Sequence, residues 1–122
     1  MLDDPAFAAV FAPGSRAEVP VAGTLPLASG RPAAIAGQID RLAVTDAQVL
    51  IIDFKTNRPA PSVIPEAYLA QIAVYARLVA EIWPGRTVRA AILWTDAPRL
   101  DEVPAGDLAA TAARLFGRAD TP

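Results

Sequence analysis

The run of apolar and polar positions divides this chain into short segments. Residues 3–11 begin Asp3-Asp4-Pro5 and continue Ala6-Phe7-Ala8-Ala9-Val10-Phe11. That order predicts a short helix with Asp4 as N-cap and Pro5 in its first position. Pro13-Gly14-Ser15 ends it. Arg16 to Leu27 alternates loosely and holds two prolines, which suits an edge strand. Ser29-Gly30-Arg31-Pro32 reads as a turn. Ala33 to Val44 reads as a second strand, with Ile35, Gly37, Ile39 and Arg41 on one parity and Ala36, Gln38, Asp40 and Leu42 on the other. Val49-Leu50-Ile51-Ile52-Asp53-Phe54-Lys55 is a nearly continuous apolar run that ends in charge, the mark of a strand buried on both faces. Asn57 to Pro65 is a proline-rich loop. From Glu66 to Ile82 the spacing of Leu69, Ile72, Ala73, Ala76, Val79 and Ala80 predicts a helix, which Trp83-Pro84-Gly85 stops. Thr87 to Trp94 is a further strand. Pro104 to Phe116 is a closing helix, with Gly117 just past its end. The strand–helix–strand step from 49–55 to 87–94 implies a parallel pair with a right-handed crossover. The expected class is α/β, a mixed sheet flanked by helices.

Composition narrows the chemistry. The 122 residues make one domain, and 27 of them are alanine, so the 53% hydrophobic content describes a modest core. There is no cysteine and no histidine. Disulfides, thiol nucleophiles, histidine bases and Cys- or His-ligated zinc are therefore excluded. A net charge of −2 lacks the basic footprint of a free-standing nucleic-acid binder. No apolar run approaches the ~20 residues of a membrane span, and the acidic start is unlike a secretory signal. The expected setting is cytoplasmic, with no membrane contact.

The charges that remain converge on one place. Asp53 and Lys55 are two apart on a strand, so they leave the same face. If Asp46-Ala47 is a two-residue hairpin loop, Thr45 pairs with Gln48 and Asp40 falls opposite Asp53. Facing carboxylates on neighbouring strands repel, and a divalent cation between them resolves the repulsion. Two solvated aspartates at a sheet edge are the plain alternative. Against it, Asp53 interrupts a buried run at its C-terminal end, where ligands bind in α/β sheets. Lys55 is also the only lysine in the chain.

Gly37-Gln38-Ile39-Asp40-Arg41-Leu42, then Ile52-Asp53-Phe54-Lys55-Thr56, then Gln71-Ile72-Ala73-Val74-Tyr75 resemble the motifs of the PD-(D/E)xK nuclease superfamily. Within it they resemble the RecB-like nuclease domain at the C-terminus of AddA, the helicase–nuclease subunit of the bacterial AddAB (RecBCD-like) double-strand-break repair machine. The similarity runs from about Arg16 to Glu102. It implies a restriction-endonuclease-like fold and a Mg²⁺-dependent exodeoxyribonuclease, with Mn²⁺ able to substitute. Asp40 and Asp53 then match metal ligands, joined by the Phe54 carbonyl. Lys55 matches the lysine that orients or helps deprotonate the attacking water, and Gln71 and Tyr75 match the helix motif. Glu18 matches an upstream acidic residue that supports the metal. A lone glutamate on an edge strand is as readily a solvated charge, and tyrosines on a helix such as Tyr68 and Tyr75 are more often core or boundary residues. Arg41 and Arg58 are candidate phosphate contacts or ordinary surface arginines. Trp83 and Trp94 read as core.

The chain departs from the pattern in one respect. RecB-like nucleases often use a histidine on an upstream helix as a further ligand, and no histidine is present here. No helicase motif is present either. The resemblance therefore implies that residues 1–122 are one nuclease-like domain from the C-terminal part of a larger polypeptide. Its partners would be DNA, expected to be single-stranded, the helicase portion and an AddB-like subunit. Alone, the domain would bind DNA poorly and cut slowly or not at all. The reading from a different class is a non-catalytic, nuclease-like module that grips DNA or a partner.

Overall fold

A computed structural model of the protein describes residues 15–57, 61–96 and 99–117. The helix expected over 3–11 and the side chain of Arg58 lie outside them. Strand β1 (Arg16–Pro26) and strand β2 (Pro32–Val44) form a long hairpin. Its turn is closed by Leu27 N–H donating to the Arg31 carbonyl at 2.8 Å, with Gly30 in the left-handed region at φ 91°. Strand β1 is an edge, where Pro20 and Pro26 cost no ladder bonds. Strand β3 (Gln48–Lys55) follows β2 through the two-residue turn Asp46-Ala47. Thr45 N–H donates to the Gln48 carbonyl at 2.8 Å, and Val44 pairs with Val49 through to Arg41 with Ile52. This is the register the sequence predicts.

Helix α1 (Glu66–Ile82) carries the chain over one face to strand β4 (Thr87–Trp94), parallel to β3. Strand β5 (Arg99–Glu102) and helix α2 (Ala105–Phe116) complete the described chain. The sheet order is β1-β2-β3-β4-β5, antiparallel except for β3 and β4. Strand β5 was not expected. Four residues bounded by Pro98 and Pro104 carry too little alternation to announce a strand. The pairing itself is plain, with Leu100 opposite Leu93 and Asp101 opposite Ile92.

The core has a layer on each side of the sheet. On the α1 side, Val21, Leu25, Ile39, Leu42, Val49 and Ile51 pack with helix residues including Ile72, Leu78 and Val79. On the other side lie Ala43, Leu50, Ile52, Ala91 and Leu100, with Leu93 against them. Val49 to Ile52 are thus buried on both faces, as the apolar run implies.

One departure from strict alternation bears on function. Ile39 and Leu42 both face α1, although strand geometry would send residues three apart to opposite faces. The expected parity therefore holds only up to Ile39. Ala17 pairs with Arg41 and Val19 with Ile39, so the reversal falls at Glu18 and Asp40. Glu18 has φ 54°, the left-handed region that non-glycine residues rarely occupy. Strain of this kind persists where the surroundings enforce it, and it clusters at functional sites.

Candidate active site

The site is built at the end of β3. Asp53 follows four buried apolar residues and is only 6% exposed. Its parity places it with Val49, Ile51 and Lys55 on the α1 side. Lys55 Nζ lies 3.1 Å from Asp53 Oδ2, close enough to attract it. The buried Oδ2 has no hydrogen-bond partner among the described residues. Lys55 Nζ instead donates to Gln71 Oε1 at 3.0 Å and sits 4.3 Å from the centre of the Tyr68 ring. Gln71 and Tyr68 are three apart on α1 and share its face toward β3.

Asp40 reaches the same place from β2. The β2–β3 ladder stops at Arg41 and Ile52, one step before Asp40 and Asp53 would face each other as a regular pair. The strands fork there. Asp40 Oδ2 takes the Phe54 N–H at 2.8 Å in place of a ladder bond. In an extended strand a residue's carbonyl leaves on the same side as its N–H, so the Phe54 carbonyl also faces the fork. The next carbonyl, of Lys55, faces the other way and accepts Thr95 N–H at 2.9 Å. Burial pushes the Asp53 carboxyl up to about 6. Lys55 pulls it down, and the charge of the neighbouring Asp40 pushes it up again.

These donors fit a small divalent cation. Asp53 presents a buried carboxylate oxygen without a hydrogen-bond partner, Asp40 a second carboxylate, and Phe54 a carbonyl. All are hard oxygen donors, the kind Mg²⁺ and Mn²⁺ take, with water and phosphate completing the shell. Among the described residues no three Asp, Glu, His or Cys side chains are grouped to hold a metal. Glu18 is accordingly outside a common ligand group with Asp40 and Asp53. Its Oε1 accepts Gln38 Nε2 at 3.4 Å, and it lines a cavity of about 280 Å³ together with Asp40 and Phe54.

The remaining candidates divide. Gln71 is in the site, bonded to Lys55. Tyr75, one turn further along α1, lies on Gly37 of β2, where an added Cβ would come within 2.5 Å of its hydroxyl. The motif glycine is thus needed for the helix to approach the strand. Arg41 pairs opposite Ile52, on the face away from α1, and its guanidinium donates to Ser15 Oγ at 3.0 Å. Arg77 lies against the Phe116 ring, 5.5 Å from its centre, at the junction of the two helices. Neither of these contacts involves Lys55. Trp94 is fully buried, as expected, and Trp83 is half-buried at the far end of the sheet. Tyr68 was the residue missed. Its spacing of three from Gln71 was a usable signal, because both must share a face of the helix.

A sequence model of the PD-(D/E)XK nuclease superfamily matches residues 6–119. Among solved structures, the crystal structure of SSO0001 is similar in fold, with a TM-score of 0.53 and 18% sequence identity. The match covers 82% of this chain and 46% of that one, so the chain spans less than half of that protein. A comparison with curated proteins finds no match. A mixed five-stranded sheet flanked by helices is the restriction-endonuclease-like α/β arrangement. The chain belongs to the PD-(D/E)XK nuclease superfamily. Members of that superfamily are typically nucleases, generally use divalent metals and bind DNA. Among the described residues no helix is long and apolar enough to cross a membrane.

Proposed function

We propose that this chain is the Mg²⁺-dependent nuclease domain of an AddAB-type helicase–nuclease, hydrolysing phosphodiester bonds in single-stranded DNA delivered by the helicase portion and an AddB-like subunit. The observation that carries the nuclease reading is the convergence of Asp40, Asp53 and the Phe54 carbonyl on one fork, with Lys55 beside them. The AddAB assignment rests on the run Gly37–Leu42, Ile52–Thr56 and Gln71–Tyr75. Exonuclease action and a role in bacterial double-strand-break repair belong to the same reading.

Asp40 and Asp53 would hold the cation, with the Phe54 carbonyl as a third donor and Glu18 supporting from β1. The bound cation would lower the pKa of a coordinated water and offset charge developing on the scissile phosphate. Lys55, fixed by Gln71, would donate a hydrogen bond that orients the attacking water. Tyr75 would set the distance between α1 and β2 through Gly37. Apolar packing around Asp53 keeps bulk water from its inner oxygen.

The test is cutting of single-stranded DNA by the full-length polypeptide with its partner, any second nuclease site in the partner having been inactivated. Lys55→Ala should abolish cutting and leave unwinding and Mn²⁺ affinity intact. Cutting at the wild-type rate by Lys55→Ala and Asp53→Ala would overturn the assignment and favour the non-catalytic module.

A further inference from the structure

Lys55 carries its charge on a flexible four-carbon stem, yet a water-orienting group must be held in place. Gln71 and Asp53 contact the ammonium from two sides. The third neighbour is the face of Tyr68, 4.3 Å from Nζ, within the range of attraction between an ammonium and an aromatic ring. Tyr68 is itself fixed. Its hydroxyl donates to Asn57 Oδ1 at 3.0 Å, and its ring packs at 44° against Trp94, with centroids 6.2 Å apart. Trp94 is buried and donates through Nε1 to Asp101 Oδ2 at 2.8 Å. Arg99 pairs with the same Asp101 oxygen at 3.0 Å and donates to the Pro61 carbonyl at 2.6 Å.

We propose that Tyr68 is a positioning residue for the Lys55 ammonium, and that Asn57, by holding the Tyr68 hydroxyl, ties both to the segment that follows β3. This rests on the reading of Lys55 as a site residue. An ordinary core tyrosine would need neither the ammonium on its face nor a partner two residues beyond the lysine. The arrangement links the end of β3, the start of α1 and β5.

Lys55 is the only lysine, so selective lysine labelling with ¹³C and ¹⁵N gives one side-chain signal set in this chain. In metal-free solution the Lys55 ε-methylene signal should be shifted upfield by the Tyr68 ring. Tyr68→Leu should lose that shift. Tyr68→Phe and Asn57→Ala should each reduce it, and combining them should reduce it no further than either alone. In the cutting assay above, Tyr68→Leu should lower kcat on the order of 10- to 100-fold with KM for DNA unchanged. Tyr68→Phe, which keeps the ring, should recover most of that loss. An unshifted wild-type signal, or one unaltered in Tyr68→Leu, overturns the proposal. So does a kcat that stays at the wild-type value when the shift is lost. If Tyr68→Leu fails to fold, Tyr68→Phe and Asn57→Ala decide by the same signals. If Lys55→Ala itself cuts normally, the reading of the site fails, while the resonance still reports whether Tyr68 holds the lysine.

Discussion

Replacing Asp53 by asparagine should stabilise the metal-free protein at neutral pH. The folded protein holds the Asp53 carboxyl at about 6, against an ordinary 3.8, and the first cause is burial. Between those values the folded state keeps a proton that the unfolded chain releases. Stability from this group is therefore full below about pH 4 and is lost as pH rises through about 6. The gap corresponds to about 3 kcal/mol at roughly 1.4 kcal/mol per pH unit. The amide in Asp53→Asn would copy the protonated carboxyl in shape and remain neutral. The variant and wild type should then be equally stable near pH 4, and the variant should be ahead by about 1–3 kcal/mol at pH 7.5. For a domain of this size that is roughly 3–5 °C in Tm per kcal/mol. Urea unfolding in EDTA at both pH values reads the difference directly. Adding Mn²⁺ should reverse the order, because a cation that binds only the folded wild type stabilises it by about 4.1 kcal/mol at roughly 1,000 times its Kd. Equal stabilities at pH 7.5, or a wild type that gains stability between pH 4 and 7.5 relative to the variant, would refute the claim that Asp53 carries a burial cost.

Three further outcomes are expected. Gly37→Ala should destabilise the protein by about 1–3 kcal/mol, because its Cβ would meet the Tyr75 hydroxyl, and Tyr75→Phe in the same chain should restore part of the loss in thermal unfolding. Asp101→Ala should cost about 1–3 kcal/mol in urea unfolding, since the buried Trp94 Nε1 donor loses its acceptor. The isolated chain should bind single-stranded DNA weakly even at low salt, measured by fluorescence anisotropy. It carries a net charge of −2, which leaves few phosphates to be neutralised. Tight binding that survives high salt would contradict the charge argument.

Much of the fold was legible because it rests on local rules. The turn at Asp46-Ala47 sets the β2–β3 register, and that register brings Asp40 next to Asp53. Helical spacing from Leu69 to Ala80 and the stop at Trp83-Pro84-Gly85 mark α1. What escaped depends on the approach of elements far apart in sequence. The reversal at Glu18 and Asp40 involves the backbone of two strands at once, with Glu18 at φ 54°, and no parity argument contains it. The four residues of β5 become a strand only because β4 offers an edge. Tyr68 reads as a boundary residue until the lysine of β3 lies on its ring. The arginines were harder still, because an exposed guanidinium follows whatever partner the fold supplies.

A calorimetric titration of the metal-free chain with Mn²⁺ probes the fork itself. Wild-type protein should bind with a measurable heat. Both Asp53→Ala and Asp40→Ala should lose that heat, while Lys55→Ala should keep it, since removing a nearby positive charge leaves the oxygen donors in place. An isotherm that is the same in wild type, Asp40→Ala and Asp53→Ala would show that the two carboxylates do not share a cation, and the proposed nuclease chemistry would fail with it.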